Sequence, residues 1–307
     1  MPISALSIEI VMSEIYSPSQ KPYKRNSEIL DEGVFPPGMN RLALGVEYNG
    51  GKFHGFQKQL SGVDTVQEKL ERALSNVANE EVTLVCAGRT DAGVHGTNQV
   101  VHFDTFAERP LKAWTRGVNV SLPNTISVKW AQVVVPAFHA RFSAHSRTYR
   151  YIVANTYTRP ALGYEQLTWV REKLDLNTMR SAAEQLVGEH DFSSLRAAQC
   201  QAKSPIRRIH YLHIARRGDL VVVEIQANAF LHHMVRNIMG VLLAVAKGEK
   251  PASWVSDVLA AKNRSAADVT AKPNGLHLVS VAYPERFALP ASSPGPVFIP
   301  EALGGLG

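Results

Sequence analysis

Residues 87–103 read AGRTDAGVHGTNQVVHF, a glycine-rich loop that encloses one aspartate and leads into an apolar stretch. Strand-forming residues lie on both sides of the loop, at 82–87 and 98–104, so the pattern predicts two strands joined by a segment that presents Asp91. Arg89 and His95 flank this carboxylate. An Asp-Ala-Gly sequence also suits an ordinary turn in which the aspartate caps its own bend. The composition of the loop leaves both interpretations open.

Strand and helix patterns alternate on both sides of this loop. Residues 65–78 (TVQEKLERALSNVA) predict a helix, because Thr65 and Glu68 have the spacing of a capping box and apolar residues follow at helical spacing. Further strands are predicted at 41–49, 126–135, 147–155, 206–217, 219–227 and 275–283, and further helices at 110–120, 177–187 and 229–247. This order favours an α+β fold with antiparallel sheets over a doubly wound nucleotide-binding fold.

The positive charge of the chain is concentrated in one segment. The 307 residues carry a formal net charge of +6. Residues 139–217 hold 13 Lys and Arg against 6 Asp and Glu, whereas the rest of the chain holds 20 against 21. Such a segment suits a polyanionic partner such as nucleic acid, because contacts with phosphates release condensed counterions. A solvated basic face is the alternative that charge alone leaves open.

Several common activities lack their sequence motifs. No G-x-G-x-x-G or G-x-x-x-x-G-K-[ST] motif follows a strand, and no G-x-S-x-G elbow is present, so dinucleotide, NTP and serine-hydrolase chemistry are not expected. His232 and His233 are adjacent within the predicted helix at 229–247. Neighbours on a helix point about 100° apart, whereas helical metal ligands lie three or four residues apart. The sequence therefore predicts no metal site.

The remaining composition indicates a cytoplasmic protein. The two cysteines, Cys86 and Cys200, are interpreted as small core residues rather than as parts of a disulfide framework or a zinc site. No apolar run approaches the length of about 20 residues that a membrane span requires, and the N-terminus does not resemble a secretion signal. Residues 1–38 are predicted to be an N-terminal extension, and residues 287–307 a Pro- and Gly-rich tail that wraps or dangles.

The segment AGRTDAGVHGTNQVVHF resembles the central motif of the bacterial tRNA pseudouridine synthases that act at positions 38 to 40 of the anticodon stem-loop. The likeness covers about residues 39–286. It continues through GVEYNGGKFHGFQKQ, TVQEKLERAL, FHARFSAHSRTYRYIV, EHDFSSLRAAQCQAKSPIRRI, ANAFLHHMVRNIMG and GLHLV. Phe56 is a departure, because that family commonly has tryptophan at this position. The difference concerns packing rather than chemistry.

The resemblance implies an architecture and partners. It implies two ferredoxin-like or RRM-like α+β halves, residues 39–140 and 141–286, whose antiparallel sheets join around a central basic cleft. The partner would be tRNA, and the protein would be a homodimer. No cofactor is implied, because moving uracil from an N1 to a C5 link with the ribose needs neither a redox step nor an external group.

The resemblance also implies roles for individual residues. Asp91 matches the catalytic aspartate, and Arg236 matches the arginine whose charge keeps that carboxylate ionised in a pocket that excludes water. Tyr149 matches a tyrosine that stacks on the target base and helps to deprotonate C5. Arg89 matches an arginine associated with flipping the nucleotide out of its stem. Three further residues are expected to contact the RNA: Arg109, Arg141 and His95.

Two other functions stay open from the sequence. A tRNA-binding module descended from such an enzyme would not need Asp91, Tyr149 or Arg236, and all three are present. An aspartate-based glycosidase or nucleosidase would need a second carboxylate close to Asp91. The nearest one downstream is Asp104.

Overall fold

The computed structural model describes residues 35–299, and within them residues 40–299 belong to one compact unit. Most of the predicted extension at 1–38 lies outside the described residues. The strands are β1 (Asn40–Tyr48), β2 (Val85–Cys86), β3 (His95–Thr105), β4 (Ile126–Val134), β5 (Ser146–Asn155), β6 (Thr168–Val170), β7 (Gly188–Asp191), β8 (Ile206–Arg217), β9 (Leu220–Ala227) and β10 (Leu276–Ala282). The α-helices are α1 (Val66–Ala78), α2 (Val118–Ser121), α3 (Leu176–Glu184), α4 (Met234–Ala246) and α5 (Trp254–Ala261).

All ten strands belong to one sheet with the order β4-β1-β3-β10-β5-β9-β8-β7, to which β2 adds on β3 and β6 on β5. Most neighbours are antiparallel, but β10 runs parallel to β3, with His277 opposite His95. Strand β10, the last strand among the described residues, therefore lies in the centre and joins strands of the first half to strands of the second. The predicted α+β class is confirmed.

Two hydrophobic clusters pack helices onto this sheet. Helix α1 begins after Thr65, whose Oγ1 accepts the Glu68 N–H at 3.4 Å, and it buries Leu70 and Leu74 against β1 and β3. Helices α3, α4 and α5 pack on the strands of the second half in a separate cluster. The clusters follow the two predicted halves, although the boundary at residue 140 stays a prediction.

The strand predicted at 82–87 is shortened to Val85–Cys86 for a physical reason. The Val82 N–H donates to Ser75 Oγ and the Leu84 N–H to Glu71 Oε1, so two backbone donors bind side chains of α1 instead of a neighbouring strand. Both apolar side chains are nevertheless buried. The apolar pattern correctly indicated core residues but not their hydrogen bonding.

The pattern missed three short elements, and one predicted helix is present with a π-helical turn inside it. Strands β6 and β7 and helix α5 are too short to show a clear period. The helix predicted at 110–120 is present as a π-helical turn, Ala113–Gly117, followed by α2. This turn places Trp114 in the core, where its ring lies 5.3 Å from that of Phe103.

The C-terminal tail wraps over the sheet as far as residue 299. Arg150, which is fully buried on β5, donates to the carbonyls of Gly295 and Ile299 at 2.5 and 2.6 Å and also to Glu224. Asn98 on β3 donates to the Ser293 carbonyl at 2.7 Å. These contacts fasten the tail to both halves of the sheet; residues 300–307 lie outside the described part of the chain.

Candidate active site

Asp91 begins the tight turn that precedes β3. Its backbone carbonyl accepts the Val94 N–H at 3.1 Å, and Gly93 takes the left-handed φ of +78° that the reversal requires. Among the described residues, the Asp91 carboxylate has its partners at the N-terminal end of α4 and none within its own turn. The alternative of an aspartate that caps its own bend is therefore wrong.

Buried polar side chains hold the backbone on both sides of Asp91. Gln99 accepts the Gly88 N–H at 3.3 Å and donates to the Gly88 carbonyl at 2.6 Å. The hydroxyls of Tyr48 and Thr90 share a hydrogen bond of 2.9 Å. Because Tyr48 lies on β1 and Gln99 on β3, the sheet fixes the position of the carboxylate.

The loop after β1 packs against the same segment. The Phe56 N–H donates to the Thr90 carbonyl at 3.0 Å. Gly55 has a φ of +92°, and a Cβ there would lie 2.9 Å from the same oxygen. Phe56 itself is fully buried, with its ring 5.8 Å from that of Tyr48. The departure from tryptophan at this position therefore affects the packing behind the loop rather than the surface around Asp91.

Arg236, in the first turn of α4, provides the positive charge beside Asp91. Its Nη1 lies 3.5 Å from Asp91 Oδ2, and its Nε donates to the Ala271 carbonyl at 2.9 Å. The Arg236 and Asp91 side chains are 14% and 23% exposed. The structure thus brings these two predicted site residues together, and the second hydrogen bond prevents the guanidinium from swinging away.

A close backbone approach positions Arg236. A Cβ at Gly240 would lie 2.1 Å from the Val269 carbonyl oxygen, so only glycine allows the segment at 269–271 to lie this close to α4. The Ala271 N–H donates to the Arg236 carbonyl at 3.1 Å, which ties the same segment to the first turn of the helix. Gly240, one helical turn after Arg236, therefore allows the contact that holds the Arg236 guanidinium in place.

His232 and His233 also reach Asp91, and sequence reasoning missed this. Helix α4 starts at Met234 and not at 229, because His233 adopts a left-handed φ of +62° and residues 231–234 form a turn. His232 Nε2 lies 3.4 Å from Asp91 Oδ1, and His233 Nε2 lies 3.5 Å from Oδ2. The expectation that the two rings diverge on a helix is wrong. No glycine or proline marks this turn, so the sequence carried no signal for it.

The two imidazoles change the electrostatics around the carboxylate. Their ring centroids are 4.1 Å apart. Burial lowers the pKa of His233, the Asp91 charge acts in the opposite direction, and the positive charges of His232 and Arg236 lower it further. Within the described part of the chain, Asp91, His232 and His233 are also the one group of three side chains placed to hold a metal ion.

Tyr149 lies on β5 beside the Asp91 loop. It is 7% exposed, and its ring packs edge-on against Phe230 at 5.0 Å. Burial raises the pKa of Tyr149 well above its usual range, and the nearby Tyr48 and Asp91 add to the effect. The hydroxyl lies near Gly88, where an added Cβ would be 3.8 Å from it, and it has no hydrogen-bond partner among the described residues. It is thus a neutral hydroxyl available to a substrate.

Basic side chains surround the same loop. Arg89 is exposed, and so is Arg141, whose guanidinium lies 5.5 Å from the Phe142 ring centroid. Burial raises the pKa of the Cys86 thiol to about 11, and the charges of Arg89, Arg141 and Arg147 oppose this. Arg147 is the structural member, since it donates to the carbonyls of Ala87 and Arg141.

Two predicted contact residues lie away from this cluster. Arg109 follows the far end of β3, and its Nε donates to the Val77 carbonyl at 3.1 Å. Asp91 precedes β3 and Arg109 follows it, so the 11-residue strand separates the two residues. His95 is 2% exposed, and both of its ring nitrogens have protein partners: Gly50 at Nδ1, and the Glu165 and Asn274 carbonyls at Nε2. The structure brings neither residue to Asp91.

Asp104 does not supply a second carboxylate. It lies near the end of β3, where Arg41 Nε and Nη2 donate to its two oxygens at 2.7 and 2.8 Å. Both oxygens are therefore engaged at the opposite end of the strand from Asp91. This geometry removes the observation on which an aspartate-pair glycosidase depended.

No helix within residues 35–299 combines the length and apolar character that crossing a bilayer requires.

Most of the chain is similar in sequence to proteins that are already known. It matches the profile of a family described as tRNA pseudouridine synthase over residues 45–143 and 182–284. The matched stretches include Asp91 and Arg236, and Tyr149 lies between them. Three similar proteins, each named tRNA pseudouridine synthase A, come from Pseudomonas aeruginosa, Shewanella piezotolerans and Alcanivorax borkumensis.

This chain covers almost the whole length of each of these relatives. The Pseudomonas protein is 54% identical over 270 residues, which are 87% of this chain and 95% of that protein. The Shewanella protein is 55% identical over 259 residues, 84% and 99% of the two chains. The Alcanivorax protein is 54% identical over 265 residues, 86% and 99% of the two chains.

Proposed function

Because this chain belongs to the tRNA pseudouridine synthase family, we propose that it isomerises uridine to pseudouridine at positions 38, 39 and 40 of the tRNA anticodon stem-loop. The observation that carries the proposal is the contact between Asp91 and Arg236, in which a carboxylate on a fixed loop faces a fixed guanidinium. Such a pair supplies a charged carboxylate in a site that is partly shielded from water. The proposed reaction needs such a carboxylate.

The bonds and protons of the proposed reaction balance within the uridine itself. The bond from N1 to C1′ breaks, the uracil turns in place, and a bond from C5 to C1′ forms. C5 loses a proton and N1 gains one, so no redox partner or external group takes part. The protein has to hold the detached base and manage a single proton.

Asp91 is proposed as the group that starts this sequence. Its carboxylate serves as a nucleophile toward C1′ or toward the base, or as a base that takes a sugar proton on a route through a glycal. All three routes require the ionised form next to the nucleoside. The hydrogen bonds at Gly88 and Thr90 support this role, because they place the carboxylate before a substrate arrives.

Tyr149 is proposed to hold the base. Its position beside Gly88 leaves the aromatic ring and the hydroxyl at the edge of the Asp91 loop. Since burial raises the pKa of Tyr149 far above neutrality, its hydroxyl is a hydrogen-bond donor here rather than a phenolate. We therefore propose that Tyr149 orients the uracil; the expected role in removing the C5 proton stays a prediction.

Arg89 and the neighbouring arginines are proposed to receive the RNA. A uridine in a stem must leave the stack before it can react, at a cost of a few kcal/mol, and we propose that Arg89 fills the gap. Arg141 is exposed beside it and is a candidate phosphate contact. Arg109 is proposed only as a distant phosphate contact, and His95, being buried, is left out of the proposed site.

Two further properties are proposed on the resemblance alone. They are a homodimeric assembly and a cytoplasmic location, which suit an enzyme that acts on tRNA.

The experiment that tests the proposed function is modification mapping. Unmodified tRNA is incubated with the protein, labelled with a carbodiimide that stays on pseudouridine, and read by reverse transcription. We expect stops at positions 38, 39 and 40 that depend on the protein. If pseudouridine is absent, the proposed reaction is wrong; if it lies elsewhere in the tRNA, the reaction stands and the proposed positions are wrong.

A further inference from the structure

We propose that Asp91, His232 and His233 form a binding site for a divalent transition-metal ion, with Zn²⁺ as the best match, and that the bound ion inhibits the enzyme. The binding follows from the geometry of the three side chains. The inhibition rests in addition on the proposed function of Asp91, because an ion on that carboxylate withholds it from the nucleoside.

One donor atom from each of the three residues lies within 4.8 Å of the other two. His232 Nε2 lies 3.4 Å from Asp91 Oδ1, and His233 Nε2 lies 3.5 Å from Asp91 Oδ2. A tetrahedral Zn²⁺ with bonds of about 2.0–2.2 Å separates its ligand atoms by about 3.3–3.6 Å, so binding requires a rotation of the carboxylate that brings one oxygen to both nitrogens. The three residues would then supply three of the four positions.

The backbone at the start of α4 makes the two adjacent histidines converge. A left-handed φ is uncommon for a residue other than glycine and is often found at functional sites. At His233 it turns the ring to the same side as that of His232, which a helix would not allow. The His232 carbonyl accepts the Ala197 N–H and the His233 carbonyl accepts the Asn237 N–H, both at 2.9 Å, so both residues are held in place.

Two imidazole nitrogens and one carboxylate oxygen favour some metal ions over others. Imidazole suits zinc and its transition-metal neighbours, whereas Mg²⁺ prefers oxygen ligands and water. The Mg²⁺ that accompanies tRNA is therefore not expected to occupy the site. The His232 and His233 side chains are 43% and 30% exposed, which leaves an entry path and room for water at the fourth position.

Arg236 limits the affinity. Its Nη1 lies 3.5 Å from Asp91 Oδ2, so a dication at the carboxylate lies near a fixed positive charge. With three protein ligands and this repulsion, we expect weak, reversible binding with a Kd of about 1–100 µM. The same argument predicts that removal of the Arg236 charge strengthens the binding of zinc, although it damages the proposed catalytic site.

Titration calorimetry of the full chain with Zn²⁺ alone, in the absence of RNA, tests the site. We expect one ion per chain, and affinities at least about tenfold weaker in His232→Gln and in His233→Gln. Arg236→Gln should bind zinc about fivefold more tightly. The matched control is His210→Gln, which changes an exposed histidine on β8 and should leave the affinity unchanged. Circular dichroism verifies that each variant is folded.

Several results would overturn the proposal. These are a chain that binds no Zn²⁺ up to about 1 mM, histidine variants that bind it as well as the unaltered chain, or an Arg236→Gln variant that binds it more weakly. Because these measurements contain no RNA, they succeed or fail whether or not the protein forms pseudouridine. If zinc binds at the three residues but saturating zinc does not slow pseudouridine formation, the metal site stands and the proposed inhibition is wrong.

Discussion

Arg236 faces Asp91 at 3.5 Å while its Nε is held by the Ala271 carbonyl at 2.9 Å, so one guanidinium bridges the loop of the first half and a segment of the second. Lysine has a single terminal ammonium and cannot make both contacts in this geometry. In Arg236→Lys we expect turnover to fall by about a hundredfold, because the charge beside the carboxylate is no longer fixed. The rate of pseudouridine formation under single-turnover conditions measures this.

The matched control for that substitution is Arg180→Lys. Arg180 lies on α3, and its Nε donates to the Ile214 carbonyl at 3.1 Å, much as Arg236 does to Ala271. It is not part of the proposed site. Equal losses of turnover in the two variants would mean that Arg236 acts only through the stability of its helix.

Substitutions of two aspartates should have different effects, one on pseudouridine formation and the other on stability. Asp91→Asn should abolish pseudouridine formation while tRNA binding largely persists, since the substitution removes the charge but keeps the shape. Asp104→Asn should destabilise the protein but leave pseudouridine formation by the folded protein unchanged. It weakens the ion pair with Arg41, whose side chain is 3% exposed, and should lower the free energy of unfolding by about 3 kcal/mol. Urea unfolding and the modification assay distinguish them. Product formation by Asp91→Asn would remove the proposed catalytic group.

Arg89→Ala should affect turnover more than binding. The Arg89 side chain is exposed and donates no hydrogen bond to the described residues, so it is free to enter the space left by a flipped nucleotide. Unstacking costs a few kcal/mol in a stem and less in a single strand. We therefore expect a larger loss of rate on a uridine within a stem than on the same uridine in an unpaired oligonucleotide. A loss that is the same for both substrates would assign Arg89 to phosphate binding.

The stacked histidines at the junction of β3 and β10 should make the fold sensitive to acid. Burial lowers the pKa of His277 from 6.5 to about 3, and the charges of His95 and Arg150 act in the same direction. As the pH falls from about 6.5 toward 3, the unfolded chain takes up a proton that the folded chain refuses, so the free energy of unfolding falls by about 1 kcal/mol per pH unit. Above pH 6.5 the group makes no contribution of this kind.

His277→Gln removes this proton uptake, and its amide can still donate to the Gln166 carbonyl, which His277 Nε2 now contacts at 3.0 Å. Chemical unfolding at pH 7 and pH 5 should therefore show a smaller loss of stability for the variant than for the unaltered chain. His210→Gln, an exposed control, should retain the full loss. If all three lose stability equally, the acid sensitivity originates in other groups.

Local interactions were predictable from the sequence, and long-range ones only in part. The cap at Thr65 could be assigned because its partner lies three residues away. The pairing of Asp91 with Arg236, which are 145 residues apart, was predicted only through the resemblance, since no periodicity links two segments at that distance. The contact with His232 was missed, because it depends on one left-handed residue that nothing in the sequence marks.

The central position of β10 in the sheet is another long-range feature that the sequence pattern did not predict. Its apolar pattern predicted a strand at 275–283, and the structure has Leu276–Ala282. The pattern does not say that this strand lies between β3 and β5, because strand order depends on which edges remain free when the halves meet. Buried side chains such as Gln99 and Arg150 are equally hard to place, since their partners are backbone groups distant in sequence.

Binding of tRNA should depend steeply on salt, because phosphate contacts made by the basic segment release counterions. The slope of log K against log salt should fall by about 1 in Arg141→Gln if this exposed arginine contacts one phosphate. Lys129→Gln is the matched control: Lys129 is an exposed cation on β4 that pairs with Glu47 at 2.8 Å, outside the basic segment, and its loss should leave the slope unchanged. Filter binding over a range of salt concentrations measures both slopes. A flat dependence for the unaltered chain would mean that base stacking rather than charge carries the affinity, and would remove the basis for assigning the arginines around Cys86 to the RNA.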